Sequence, residues 1–352
     1  MKEIVIEEPY KVEVKEVPTC RPSPSQILTK TKISGISAGT EMHEYRGSVN
    51  TLSRPLKVHS YPIVPGYENV GEVIEVGKEV EGFEAGDRII SCGTHTEFLC
   101  LPNPSILPAY SKIPDSVTDE EAVFAVLGTV ASHCIRRARI GYGDNVAVIG
   151  QGVVGILAAQ HAKNVGAGKV ITLDYVEDNL KISKQVGADV TINRNDQNWI
   201  DRVMEESEGL GADVVIEAVG SWLSPTGTVS DACRIVRDRG KVVILGWHLA
   251  PSELVFGDVS SLKEIEFINC RGMGPGSTGY YSSGFPEVTK LPTFVRWDVT
   301  RGFRHTIRLL EQGKLNVLPM VTHRFGYRQI REAYDLMDKR KENFLKAILQ
   351  WQ

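Results

Sequence analysis

The chain has no CxxC pair: its six cysteines, at 20, 92, 100, 134, 233 and 270, lie scattered through 352 residues. This argues against a disulfide framework, so the cysteines read as reduced cytosolic thiols. Long apolar runs are missing too. No stretch approaches the roughly 18 apolar residues of a membrane span. The opening segment, Met1-Lys2-Glu3-Ile4-Val5-Ile6-Glu7-Glu8, alternates polar and apolar residues and lacks the apolar centre of a signal peptide. A cytoplasmic protein with no membrane partner is therefore expected. No basic stripe stands out either. With a formal net charge of -4 there is no electrostatic case for nucleic acid. The tightest basic run, Arg136-Arg137-Ala138-Arg139, reads as the exposed end of a helix. Internal repeats and low-complexity tracts are absent.

Hydrophobic residues make up 42% of the chain, enough for ordinary buried cores. The length suits two domains or one large α/β unit. Short period-two runs at Ile4–Ile6, Tyr10–Val17 and Gln26–Ile33 predict strands, and residues 71–90 predict two more around a Gly and charged turn. At "PDSVTDEEAVFAVLG" the period changes. Ser116 or Thr118 can cap an apolar helix whose first turn is acidic. From about residue 144, strands alternate with helices: "NVAVIG", "KVITLD", "DVTI", "ADVVIEAVG" and "GKVVILG" are separated by helical patterns. That order predicts a parallel, doubly wound sheet. After a loop rich in Gly, Ser and aromatics come helices near 299–313 and 327–340 and a last strand, "FLKAILQ".

"VAVIGQGVVG" holds Gly150, Gly152 and Gly155 in GxGxxG spacing, with Val153 and Val154 opening the following helix. A glycine triplet is weak alone, but this one follows a hydrophobic strand. Asp174 then ends the next strand, nineteen residues beyond Gly155. Gly150 suits the tight turn, Gly152 a backbone approach to a pyrophosphate, and Gly155 close helix–sheet packing. Asp174 can accept from both adenosine ribose hydroxyls and would repel a 2′-phosphate. Tyr175 stands where an NADP site could place a basic residue. Both features favour NAD over NADP. Gly220 and Gly246, at two later strand ends, are either backbone approaches to the cofactor or ordinary strand terminators.

Together with "SGISAGTEMHEYRG", "PIVPGYENVGEVIEVGKEVEGFEAGDRI" and "LLEQGKLNVLPMVTHRF", these features resemble the medium-chain dehydrogenase/reductase superfamily, most of all its alcohol, polyol and threonine dehydrogenase branch. The resemblance covers essentially the whole chain. It implies an α/β architecture in which a Rossmann domain (127–272) is inserted into a β-rich, GroES-like catalytic domain (1–126 and 273–352). Substrate would lie in the cleft between them, and a homo-oligomer, dimer or tetramer, is expected. Zinc-using members would carry a cysteine in the segment matching "GISAGTE", a His-Glu pair in "PGYENVG", and a third ligand near the start of the helix at 121–136. Here Ser37 or Ala38 stands for the cysteine, Tyr67 for the histidine and Val126 near the third position, with only Glu68 kept. The structural lobe of four cysteines is missing as well. One carboxylate makes no tetrahedral site, so no zinc is expected.

Hydride transfer to or from a nicotinamide still needs proton transfer at the carbinol oxygen. The family frame puts Thr40, His43, Tyr67, Glu68 and His95 near that spot. Tyr67 is either a phenol of lowered pKa acting as acid and base or a ring filling the space of the metal. Glu68 orients Tyr67, acts as base, or binds a buried Arg. Thr40 and His43 match relay positions, or are a capping threonine and a surface histidine. His95 suits acid–base work, or is structural. Ser37, Tyr280, Tyr281, Arg296 and Trp297 are candidate substrate contacts, the last four in or beside a long hydroxyl-rich loop. The leading expectation is a zinc-independent, NAD-dependent dehydrogenase of a secondary alcohol in a polyol, sugar or cyclitol. The rivals are a zinc-free quinone or enone reductase and a non-catalytic NAD(H)-binding sensor.

Overall fold

The computed structural model describes residues 1–47, 61–102, 110–219, 227–246, 258–270, 272–275, 296–339 and 343–352. The chain divides into two compact units: residues 1–129, 273–313 and 320–352 form one, and residues 130–272 with 314–319 form the other.

The first unit starts with an antiparallel pair, β1 (Lys2–Glu8) and β2 (Lys11–Glu16). Strand β3 (Gln26–Ile36) leads into helix α1 (Thr40–Arg46). Strands β4 (Asn69–Val76), β5 (Arg88–Ser91), β6 (Phe98–Pro102) and β7 (Tyr110–Lys112) follow. The capping position falls to Thr118. Its Oγ1 accepts from Glu121 N–H at 3.2 Å while Glu121 Oε2 accepts from Thr118 N–H at 2.8 Å. This box starts α2 (Asp119–Ala122), and α3 (Ala125–Ala138) continues after a short break.

The second unit is strictly alternating: β8 (Asn145–Ile149), α4 (Val153–Asn164), β9 (Lys169–Asp174), α5 (Glu177–Gln185), β10 (Val190–Asn193), α6 (Trp199–Glu206), β11 (Ala212–Glu217), α7 (Thr228–Ile235), β12 (Val236–Ile244), α8 (Asp258–Leu262) and β13 (Glu266–Asn269). Its strands pair in parallel in the order β10-β9-β8-β11-β12-β13. Nearly every residue of β8, β9 and β11 is buried, as expected of a parallel sheet covered on both faces. Ile149, Ile171, Leu173, Ile192, Val215 and Val242 build its core. Each such side chain contributes about 1.5–3 kcal/mol on burial, so a charge at Ile171 would unfold this layer. Strand β12 begins directly after α7, earlier than "GKVVILG" suggests. Arg239 takes a left-handed φ of 55° there, and its N–H donates to the Lys263 carbonyl.

The chain then returns to the first unit with α9 (Val299–Glu311), β14 (Val321–Gly326), α10 (Ile330–Lys339) and β15 (Lys346–Gln350). The Asp298 carboxylate caps α9 by accepting from Arg301 N–H at 2.8 Å. The first unit's larger sheet runs β14-β15-β3-β4-β5-β7, with β6 also paired to β3. Thus β15, at the end of the sequence, lies against β3, which carries Ser34 and Ile36. Ile4, Ile6, Ile36, Met42, Tyr45, Tyr334 and Trp351 pack into one core that ties both ends of the chain together.

Candidate functional site

Strand β3 ends at Ile36 and α1 begins at Thr40, so Ser37 and Thr40 flank one tight connection. Tyr67 approaches from the segment before β4. Its hydroxyl donates to Ser37 Oγ at 2.6 Å, and the Thr40 side chain is its second hydrogen-bonding neighbour. Ser37 is buried, while Tyr67 and Thr40 are half-buried. The result is a cluster of three hydroxyls. Burial, then the Glu68 carboxylate, push the Tyr67 phenol well above its usual range, against smaller downward pulls from Ser37 and Thr40. That direction runs against the lowered phenol, one of the two readings of Tyr67, and keeps the hydroxyl proton on Tyr67.

Glu68 points away into the interior. Its Oε1 accepts from Lys346 Nζ at 2.8 Å, and both side chains are fully buried. Lys346 also donates to the Ile36 carbonyl at 3.2 Å. The partner is a lysine of β15, not an arginine. Burial raises the Glu68 carboxyl to about 7, with Lys346 pulling the other way. Its Oε2 has no hydrogen-bond partner among the described residues.

His95 is completely buried. Its Nε2 lies 2.9 Å from Glu41 Oε2 and its Nδ1 lies 2.8 Å from Ser34 Oγ. Trp351 Nε1–H donates to the same Ser34 oxygen at 2.9 Å. These contacts close if Nε2 carries the proton and Ser34 donates to Nδ1, which leaves no ring nitrogen for a substrate. Glu41 also accepts from Tyr334 Oη at 2.7 Å and from Ser37 N–H at 2.8 Å. His95 thus braces the carboxylate that fixes Ser37, and the acid–base role considered for it has no opening. His43 is buried in α1, not a surface residue, and burial, then Arg46, hold its imidazole down to about 4. Arg296 is exposed just before α9, and Trp297 packs edge-on against His305, with the Arg301 guanidinium over its ring. Tyr280 and Tyr281 lie outside the described residues, as does Gly220.

The second unit holds the glycine turn. Gly150 adopts φ +91°, a conformation that favours glycine. A Cβ on Gly155 would lie 1.9 Å from the Gly150 carbonyl oxygen, so the helix start packs directly on the turn. A Cβ on Gly152, the N-cap of α4, would meet nothing within 4 Å among the described residues. Gly150 thus needs its left-handed backbone and Gly155 its close packing, while Gly152 has open space beside it among the described residues. Val153, buried, and Val154, half-buried, form the first turn of α4. Asp174 ends β9, and its carboxylate accepts from Gln151 N–H and Val176 N–H, which ties the glycine turn to the strand end. Tyr175 is half exposed. Gly246 follows β12, with its N–H donating to the Glu217 carbonyl at 2.9 Å.

Residues 23–140 match the family described as alcohol dehydrogenase GroES-like domain, and residues 153–291 match the one described as zinc-binding dehydrogenase. The chain belongs to the medium-chain dehydrogenase/reductase superfamily, among the zinc-type alcohol dehydrogenase-like proteins. It is an oxidoreductase acting on CH–OH groups. It is 29% identical to L-threonine 3-dehydrogenase of Pseudoalteromonas atlantica, covering 93% of each chain. It is 26% identical to the enzyme of that name from Pyrococcus furiosus, over 93% of this chain and 92% of the other. Among solved structures, alcohol dehydrogenase TADH from Thermus sp. ATN1 matches with a TM-score of 0.80 at 25% identity, over the full length of both chains.

The family name implies zinc, so the donor set bears testing. The resemblance sets Ser37 or Ala38 and Tyr67 at positions of zinc ligands, and the third near Val126. The retained carboxylate of Glu68 is engaged by Lys346. Among the described residues no three His, Cys, Asp or Glu side chains form a possible metal-holding group. These residues do not fit a tetrahedral zinc site.

Three residues of consequence escaped the sequence reading. Lys346 had a signal, a lysine inside the apolar strand "FLKAILQ". Glu41 had none, because two of its three partners, His95 and Tyr334, come from distant segments. Arg194, just beyond β10, places a guanidinium over the Tyr175 ring, 4.7 Å from its centroid.

Proposed function

We propose that the chain is an NAD-dependent dehydrogenase that oxidises a secondary alcohol of a polyol, sugar or cyclitol, or reduces the matching ketone, and that side-chain hydroxyls replace zinc. The observation carrying this reading is the 2.6 Å hydrogen bond from Tyr67 to Ser37 beside Thr40. When bound, the nicotinamide takes up or gives the hydride. The glycine turn at 150–155 and the Asp174 carboxylate hold the cofactor, and the negative charge of Asp174 disfavours a 2′-phosphate.

The hydroxyl cluster moves the proton. In oxidation the substrate hydroxyl gives its proton to Tyr67 Oη as the Tyr67 proton shifts to Ser37 Oγ or to the Thr40 side chain, and the accepting hydroxyl releases its own proton to bulk water, the final acceptor. A concerted shift suits a phenol held well above its usual range, since no phenolate has to persist. In reduction the neutral phenol donates to the carbonyl oxygen. Glu41 keeps Ser37 in line through its backbone N–H.

The test is metal analysis of the purified chain followed by NAD⁺ reduction assays on polyols, cyclitols and sugar derivatives. Turnover without stoichiometric zinc is expected. Zinc at one equivalent would end the metal-free reading. Enone turnover with NADPH alone would move the chain to the reductase class, and cofactor binding without turnover on any alcohol to the sensor class.

A further inference from the structure

The guanidinium of Arg194 sits next to the strand end that carries Asp174, yet it is shut away. Arg194, just beyond β10, donates its N–H to the Asp174 carbonyl at 2.8 Å, placing it beside the end of β9. Asn195 Nδ2 donates to the Tyr175 carbonyl at 3.1 Å, so the two loops beyond those strands are stitched together. The Arg194 side chain is only 3% exposed. It is sandwiched between the rings of Tyr175, at 4.7 Å, and Trp199, at 5.0 Å, and its Nη2 pairs with Asp231 Oδ2. Its Nε–H has no hydrogen-bond partner among the described residues. Asp231, in the first turn of α7, also faces the more exposed Arg234, 3.7 Å from its other oxygen.

A buried guanidinium with one ion pair and one unused donor, adjoining the residue that reads the ribose, is a natural phosphate ligand held out of use. We infer that Asp231 is a cofactor-selectivity residue: by pairing with Arg194 it denies that guanidinium to the 2′-phosphate of NADP. The inference rests on the proposal that Asp174 and its surroundings bind the adenosine end of NAD. Discrimination then has two parts. Asp174 repels the phosphate, and Asp231 occupies the guanidinium beside it. Removing Asp231 frees a donor on a short tether from β10 without touching the residues that hold NAD.

The experiment is calorimetric titration of the full-length chain with NAD⁺ and with NADP⁺. The wild type is expected to bind NAD⁺ the more tightly. Asp231→Ala should raise NADP⁺ affinity about tenfold, the order of one charge-assisted hydrogen bond, with NAD⁺ affinity changed less than about threefold on the same scale. Adding Arg194→Leu should cancel the gain, which separates Arg194 from Arg234. NADP⁺ affinity unchanged in Asp231→Ala, or a gain that survives Arg194→Leu, overturns the inference and leaves the NAD reading intact. A wild type that binds NADP⁺ as well as NAD⁺ overturns the NAD reading itself. If Asp231→Ala fails to fold, Arg194→Gln decides: the masked cation adds nothing in the wild type, so NAD⁺ preference must not fall, and a fall overturns the inference.

Discussion

Tyr67 donates its hydroxyl proton to Ser37 Oγ over 2.6 Å, in the place where related enzymes are expected to hold a metal. Positioned acid–base groups contribute roughly 10²–10⁴-fold to rate. Tyr67→Phe keeps the ring and removes the relay, so kcat should fall by about 10²-fold or more while the Kd for NAD⁺ stays nearly constant. Ser37→Ala should cost less, because Thr40 remains beside the phenol. Steady-state kinetics with a calorimetric Kd check both, and unchanged kcat in Tyr67→Phe would remove Tyr67 from the chemistry.

The buried pair of Glu68 and Lys346 makes a separate claim on stability. Removing one partner strands a charge in the core, which costs about 3–5 kcal/mol, whereas removing both is often near neutral. Lys346→Met should therefore lower Tm sharply, and Glu68→Gln in the same chain should recover most of the loss. Thermal unfolding of the two singles and the double variant completes the cycle. Additive losses would show that the two residues do not act as a pair.

The alternating second unit was readable because each strand and helix declares itself locally, and the glycine spacing with Asp174 marks its functional end. The first unit was readable as a set of strands but not as a network. That His95, Ser34, Glu41, Tyr334 and Trp351 meet depends on β15 pairing with β3 across some 300 residues of sequence, and no local pattern encodes that pairing. Tyr67 was found because it broke a motif. Its raised phenol was missed because the cause is burial and a neighbouring carboxylate, neither visible in a residue string. Lys346 and Arg194 show the same limit: each is one charged residue at a strand, and its partner is chosen by the fold.

Gly155 tests the cofactor turn. With a Cβ due 1.9 Å from the Gly150 carbonyl oxygen, backbone has to move in Gly155→Ala. Overpacking of this kind costs about 1–3 kcal/mol, and the displaced turn should weaken NAD⁺ binding by more than about tenfold, the equivalent of about 1.4 kcal/mol. Gly152→Ala meets no atom of the described residues, so it should fold normally and lose affinity only. Equal Tm losses in both variants would contradict this division of labour.

His43 and Glu44, neighbours in α1, give stability opposite dependences on pH. Burial, then Arg46, lower the His43 imidazole to about 4, whereas burial, then Glu41, raise the Glu44 carboxyl to about 8. The unfolded chain protonates His43 near 6.5, so its contribution is fully present above that pH and is lost as pH falls toward 4. Glu44 contributes fully below about 4.5, its unfolded value, and its contribution is lost as pH rises through 8. The two slopes oppose each other in between, so the wild type alone hides them. His43→Asn removes one. The stability gap between wild type and this variant should narrow by up to about 1.4 kcal/mol per pH unit as pH is lowered from 6.5 toward 4. Urea unfolding at half-unit pH steps measures the gap, and a constant gap would mean that His43 is not held neutral by its surroundings.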